Sequence, residues 1–325
     1  MNAPALNDTR TVALITGVLL LLTVATAVGQ FLARHPDRGL DPAAVRSFNL
    51  RLRGWWIMCT VLAAAFWLGT TATVVLCGLV SFWALREFIT LTPTRKGDHR
   101  ALFWVFFLFT PLHYVLVAWD EYDLFSVFLP LYGTLFVLAR VALAGDYKRF
   151  LERTAKIQAG LMVCVYCLSF AAALLHVPIG GQDGGRDANF RLLFFLILLV
   201  QFADCTQYAW SRMAGRRPVA AEVSSTRTWE GLIGSATSTA LLAAVLWWAA
   251  PPFEPWQASL AGLVVAVMGF TGGMTMSAIK RDRGVKDYGT LVVGHSGVLD
   301  RIDSMCFAAP VFYHLTLLVM GRGAG

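Results

Sequence analysis

Residues 277–303 read SAIKRDRGVKDYGTLVVGHSGVLDRID. This stretch gathers Lys280, Arg281, Arg283, Lys286 and Arg301 with Asp282, Asp287, Asp300 and Asp303, around Gly284, Gly289, Gly294, Gly297 and His295. Cations beside bare glycine amides suit a polyphosphate. Ammonium and guanidinium groups offset its charge, and unshielded backbone N–H groups approach its oxygens. Asp287, Asp300 and Asp303 suit a hard divalent ion, because magnesium takes oxygen ligands and bridges carboxylates to substrate phosphates. Asp300 and Asp303 stand three apart, so on a helix they share a face. The bland alternative is a solvated loop whose charges pair among themselves, and the density of Gly, His and Asp argues against it.

A second constellation runs from Asp204 to Gly231. Asp204, Gln207 and Tyr208 close an apolar run, and SSTRTWEG follows from Ser224. A carboxylate at the edge of hydrocarbon is costly unless paired or hydrated, which makes Asp204 a functional candidate. TRTWEG alone is a weak motif, and Glu230 suits equally the acidic first turn of a helix. Arg86-Glu87 follows a tryptophan-bearing span and is read as an ion pair bracing the core. His113 and His314 fall within spans and are read as helix-packing groups. Cys164 and Cys167 form a CxxC without a second ligand pair, in membrane-like surroundings, so they are read as small buried hydrophobes.

The elements that position these residues follow from composition. Of 325 residues, 57% are hydrophobic and 14% charged, and the mean hydropathy is +0.61. A soluble domain is about a quarter charged, so the chain reads as an all-α polytopic integral membrane protein. Runs of about 20 apolar residues each suffice to cross a hydrocarbon core of about 30 Å as a helix. Ten spans are predicted, within a range of eight to ten: residues 11–33, two in 55–85 broken at Gly69-Thr70-Thr71, 101–118, 124–143, 157–175, 192–208, 232–250, 258–276 and 304–320. The whole chain, 1–325, is read as one transmembrane domain. An N-terminal span and basic loop occupy 1–54, and a helical core occupies 55–320. Tryptophans at span ends, such as Trp55, Trp119, Trp247 and Trp256, are interface anchors.

The net charge is +7, and its placement matters more than its sum. With the N-terminus outside, loops 34–54, 86–100, 140–156, 211–231 and 277–303 share one face and carry 23 of the 27 Lys and Arg. The richer face is expected to be cytoplasmic, which sets the protein in the inner (cytoplasmic) membrane with its charged loops turned to the cytosol. No basic cluster sits in a soluble module large enough for nucleic acid, so nucleic acid is excluded as a partner.

The 277–303 signature, at Ser277, Lys280, Arg281, Lys286, Asp287, Gly289, Gly294, His295, Gly297, Asp300, Arg301 and Asp303, resembles that of phosphatidate cytidylyltransferases, also called CDP-diglyceride synthases. Ser224, Arg227, Thr228, Glu230 and Gly231 resemble the family's second loop, with arginine where lysine is usual. The resemblance implies transfer of a cytidylyl group from CTP to phosphatidate or a related lipid phosphate, with release of pyrophosphate. It implies Mg2+, with room for a second cation, held among Asp300, Asp204, Asp303 and Asp287. It implies catalytic roles for Asp300, Asp287, Lys280 and Arg281, and substrate contacts from Ser224, Arg227, Thr228, Glu230, Lys286, His295 and Arg301. It also implies a homodimer. Three positions depart from the family pattern: Ser296 inside His-Gly-Gly, Ser225 in place of proline, and Gly273 where members often carry a metal-ligating aspartate. The metal site is therefore expected to lean on Asp204, brought from another helix end.

Two other classes would leave different marks. A CDP-alcohol phosphotransferase would carry DGxxAR followed by two aspartates four apart; DGxxAR is absent, and Asp300 and Asp303 stand three apart. A transporter would show polar residues deep within several spans or an inverted repeat, whereas here the ionisable groups crowd one face.

Overall fold

Long runs of leucine, valine, alanine and phenylalanine become helices here because hydrocarbon offers no partner to an unpaired backbone amide. The computed structural model describes residues 9–34, 42–91, 94–179, 186–285 and 297–323. Lys286, Asp287 and His295, together with Gly289, Gly294 and Ser296, lie outside the described residues. The chain divides into two units, Met1–Thr73 and Val74–Gly325.

The first unit contains α1 (Thr9–Arg34) and α2 (Pro42–Leu68). Trp56 Nε1 donates to Thr26 Oγ1 and Asn49 Nδ2 to Gly29 O, both at 3.1 Å, pinning the two helices side by side. Residues 42–54 were expected as loop, but they extend α2. Arginine and leucine are good helix formers, so a basic segment prolongs an apolar helix readily. Its apolar part, Gly54–Leu68, is short for a bilayer. Gly69, with φ of 101°, ends α2 where the break was predicted.

α3 (Thr70–Leu91) carries the boundary between the units. The second unit continues with α4 (His99–Ala118), α5 (Tyr122–Ala142), α6 (Phe150–His176) and α7 (Arg186–Ala214). A hairpin follows, β1 (Pro218–Ala220) antiparallel to β2 (Ser224–Thr228), with Pro218 opposite Thr228 and Ala220 opposite Ser224. α8 (Trp229–Val245), α9 (Pro255–Asp282) and α10 (Leu299–Gly323) complete the unit. Among the described residues eight helices are long and apolar enough to cross a membrane. The chain is a multi-pass, all-α membrane protein. The two predicted spans outside this set are α2 and α8, the latter 17 residues long.

α4, α5 and α6 each contain a π-helical turn, at Val105–Phe109, Phe128–Gly133 and Leu161–Cys167. Two have a proline cause. Pro111 follows the first and Pro130 lies within the second, and a ring without N–H widens the local ladder. Thr110 Oγ1 donates to Val105 O at 2.9 Å, capturing a carbonyl five residues back.

α7, α8, α9 and α10 pack through small residues, as helices in lipid do when backbones must approach closely. Gly272 decides the crossing of α9 with α10: a Cβ there would sit 2.8 Å from Asp303 O. Any side chain at 272 would push the carboxylate-bearing turn of α10 away. Chain direction then gathers the end of α3, the end of α7, the start of α8, the end of α9 and the start of α10 at one end of the unit. That end gathers Asp204, Arg227, Lys280, Asp300 and Asp303.

Candidate functional site

The first turn of α10 presents four amides without intrahelical acceptors, and a carboxylate is their natural partner. Glu87, only 9% exposed at the end of α3, supplies it. Its Oε1 accepts from Val298 N at 3.0 Å and from Trp83 Nε1 at 3.1 Å, and its Oε2 accepts from Leu299 N at 2.8 Å. The bracing role expected of Arg86-Glu87 is present, but the predicted partner is corrected. Successive residues of a helix do not face each other. Arg86 instead lies over the Trp83 ring, 4.9 Å from its centroid.

With its start fixed, α10 delivers Asp300 and Asp303 from one face, as their spacing predicts, yet to different neighbours. Asp300 Oδ1 accepts from Lys280 Nζ at 2.8 Å, joining α10 to the end of α9. Asp303 Oδ1 accepts from Ser304 N at 2.7 Å, while the Ser304 hydroxyl donates to Asp204 Oδ1 at 2.8 Å. Ser304 is buried. One serine thus ties the Asp204 carboxylate of α7 to the Asp303 carboxylate of α10. The charged neighbours of Asp204 are Asp303 and Arg227, and those of Asp303 are Arg227, Lys280 and Asp300.

Arg227 comes from β2. Its Nη1 donates to Phe270 O at 3.1 Å, and its guanidinium carbon stands 5.4 Å from the Phe270 ring centroid. The rest of that loop is committed to building itself. Thr228 is the N-cap of α8, accepting from Gly231 N at 3.0 Å and donating to Ser211 Oγ at 3.0 Å. Glu230 Oε2 accepts from Arg216 N and Arg217 N, both at 3.2 Å. Ser224 Oγ lies 3.3 Å from Thr226 Oγ1. Arg281 and Arg301 are exposed, and Arg281 Nε donates to Val223 O at 3.4 Å, leaning α9 on the hairpin.

The structure therefore brings together Asp204, Asp303, Asp300, Lys280 and Arg227. Ser224, Thr228 and Glu230 shape the adjoining loop. Among the described residues no three His, Cys, Asp or Glu side chains converge on one point that could hold a metal ion. Two carboxylates tied by one serine, through its N–H and its hydroxyl, nevertheless fit magnesium, which keeps several waters and completes its shell from substrate phosphates. Ser304 and Glu87 were missed as site-building residues. A serine following an aspartate carries no signal in sequence, whereas a glutamate at the end of an apolar span was visible and only its partner was hidden.

The profile of the Cytidylyltransferase family matches residues 49–319. The chain belongs to the cytidylyltransferase family. Its nucleotidyltransferase chemistry is set in a multi-pass membrane chain. The protein is 38% identical over 299 residues to the "Uncharacterized protein YnbB" of Escherichia coli strain K12, covering 90% of this chain and 94% of that one. It is 32% identical over 155 residues to a phosphatidate cytidylyltransferase of Synechocystis, covering 45% of this chain and 52% of the relative. With the Haemophilus influenzae phosphatidate cytidylyltransferase it shares 34% over 158 residues, covering 47% and 55%. The chain thus spans about half the length of these named cytidylyltransferases and nearly all of YnbB.

Proposed function

We propose that the protein transfers the cytidylyl group of CTP to phosphatidate, giving CDP-diacylglycerol and pyrophosphate in phospholipid biosynthesis. The observation that carries this reading is the meeting of Lys280–Asp300, Asp204–Ser304–Asp303 and Arg227 at one end of the helices of a cytidylyltransferase-family chain. A phosphate oxygen of the lipid attacks the α-phosphorus of CTP. The new bond is lipid oxygen to α-phosphorus, and the bond broken is that from α-phosphorus to the oxygen bridging to the β-phosphate, so pyrophosphate departs. A phosphate monoester is mostly ionised near neutral pH, so the step calls for no strong base. Positioning and charge neutralisation dominate such transfers.

Lys280, steadied by Asp300, and Arg227 supply fixed positive charge to the triphosphate, with Arg281 at the end of α9, Arg301 in the first turn of α10 and Lys286 between them in sequence as further cations. A magnesium ion held by Asp204, Asp303 and Asp300, with Asp287 as a further ligand, would neutralise phosphate charge when bound. The site is assigned to the cytoplasmic face of the inner membrane with the N-terminus outside, on the distribution of Lys and Arg. There it meets soluble CTP and a membrane-held phosphate together.

Asp300→Asn is expected to abolish CTP- and magnesium-dependent formation of CDP-lipid by purified protein, with pyrophosphate release as the readout. Near-normal turnover in that variant would overturn the reading. A second acceptor, another lipid phosphate such as a prenyl or ether-lipid phosphate, is favoured by the partial match to the phosphatidate enzymes. CTP consumption across a panel of lipid phosphates decides between them.

A further inference from the structure

Arg227 joins the Asp204–Asp303 cluster by an unusual seat. A Cβ built on Gly273 would stand 2.0 Å from its Nη2, 2.5 Å from its Cζ and 2.7 Å from its Nη1. The guanidinium thus fills the volume that the first side-chain atom of any other residue at 273 would occupy. Phe270 and Gly273 are three apart on α9 and share a face. Together they form a shelf: the Phe270 carbonyl accepts from Nη1, the Phe270 ring lies against the cation, and the bare Gly273 backbone lies beneath it. A guanidinium has five N–H donors, and among the described residues the Phe270 carbonyl is the acceptor found for Arg227. The cation is half-buried and has Asp204 and Asp303 as charged neighbours. The shelf fixes its place and leaves donors over for a ligand.

We infer that Gly273 is a positioning residue whose missing side chain seats the Arg227 guanidinium beside the Asp204–Asp303 pair, where it grips a phosphate of the nucleotide. The second half of this inference rests on the CTP reading above, and the first half does not. Arg227 is the far end of a flexible side chain, so a methyl at 273 displaces it without breaking the helix crossing. The glycine therefore acts on the ligand through the arginine.

A double-mutant cycle of Gly273→Ala and Arg227→Ala tests this in detergent-solubilised full-length protein, read by thermal unfolding and by CTP binding with magnesium present. Each single variant is expected to lower Tm by about 2 °C through loss of the Phe270 contacts, and the double variant to fall no further. Each single variant is expected to weaken CTP binding about tenfold, the loss of one charge-assisted hydrogen bond, with less than a further twofold in the double variant. Additive losses of Tm would show that Gly273 serves helix packing instead and would overturn the inference. Unchanged Tm and binding in Gly273→Ala would overturn it too. If the wild-type protein binds no CTP while the Tm losses remain non-additive, the seat stands and the nucleotide reading falls.

Discussion

Two arginines in the second unit illustrate how the same side chain can be spent or kept. Arg153, at the start of α6, is 5% exposed and its donors are used up on the protein. Its Nε lies 3.0 Å from both Asp98 carboxylate oxygens, and its Nη1 donates to Asp146 O at 2.9 Å and to Lys148 O at 3.0 Å. Its ion pair with Asp98, itself 1% exposed, is sealed from water. Arg227 is half-buried, sits on a glycine and makes one hydrogen bond among the described residues. Arg153 is a strut between the loop before α4 and the loop before α6. Arg227 is a held cation with donors in reserve, and this reserve distinguishes a binding group from a brace.

The contrast yields variants with opposite signatures. Asp98→Ala leaves the buried Arg153 with the half-buried Asp146 carboxylate, 3.1 Å from its Nη1, as its remaining counter-charge, at an expected cost of about 3 kcal/mol in stability. Turnover per folded molecule should stay near normal at low temperature. Thermal unfolding together with specific activity in the cold checks both halves, and a cold activity loss as large as the stability loss would erase the distinction. Arg227→Ala should do the reverse. We expect about a hundredfold loss of kcat/KM, equivalent to about 2.7 kcal/mol of transition-state stabilisation, with the small Tm change described above. Steady-state kinetics on CTP reads this directly.

Glu87 stands between these cases, being a buried brace whose cargo is the turn proposed to carry the catalytic carboxylates. Glu87→Gln keeps one carbonyl acceptor for the α10 amides and orphans the other N–H, an expected cost of about 1–3 kcal/mol. Because α10 carries Asp300 and Asp303, kcat should fall while KM for CTP changes little, and Glu87→Ala should be worse in both stability and rate. A rise in KM with unchanged kcat would instead place Glu87 among the substrate contacts.

The smallest effect belongs to the rim of the strut. The Arg95 guanidinium bonded to Asp146 holds that carboxyl below the ordinary carboxylate range. A depressed folded-state pKa gives stability that is present above the unfolded value and lost as pH falls through the folded one. The Tm difference between wild type and Asp146→Asn should therefore be small at neutral pH, disappear as acid protonates the carboxylate and shrink in high salt. A difference that grows in acid would reverse the sign of the contribution.

Which parts of this were visible in the chain depends on the range of the interaction. Helices, the break at Gly69 and the helical phase of Asp300 and Asp303 are local properties of hydropathy and spacing, and they agree with the structure. The residues of the signature are a local property too, since they announce themselves by type and spacing. The bond from Glu87 to Leu299 spans 212 residues, and no pattern at either end reports it. Gly273 was noticed as a missing carboxylate, yet its use as a seat depends on a strand some 45 positions earlier. The basic segment 42–54 misled in the other direction. Charge was read as loop, although arginines prolong an apolar helix once its end has left the hydrocarbon.

The Glu87 cap also dictates when the site comes into being. Glu87 leaves the ribosome 211 residues ahead of Val298, which at about 5–20 residues per second is a wait of roughly 10–40 s. Throughout that interval its carboxylate has neither amide to accept from and must keep its water. Arrival of α10 dries the carboxylate, caps the helix and brings Asp300 and Asp303 to Lys280 and Asp204 in one docking event. The cluster is completed last, so a nascent chain that has inserted every earlier helix still lacks Asp300 and Asp303, the carboxylates that steady Lys280 and join Asp204.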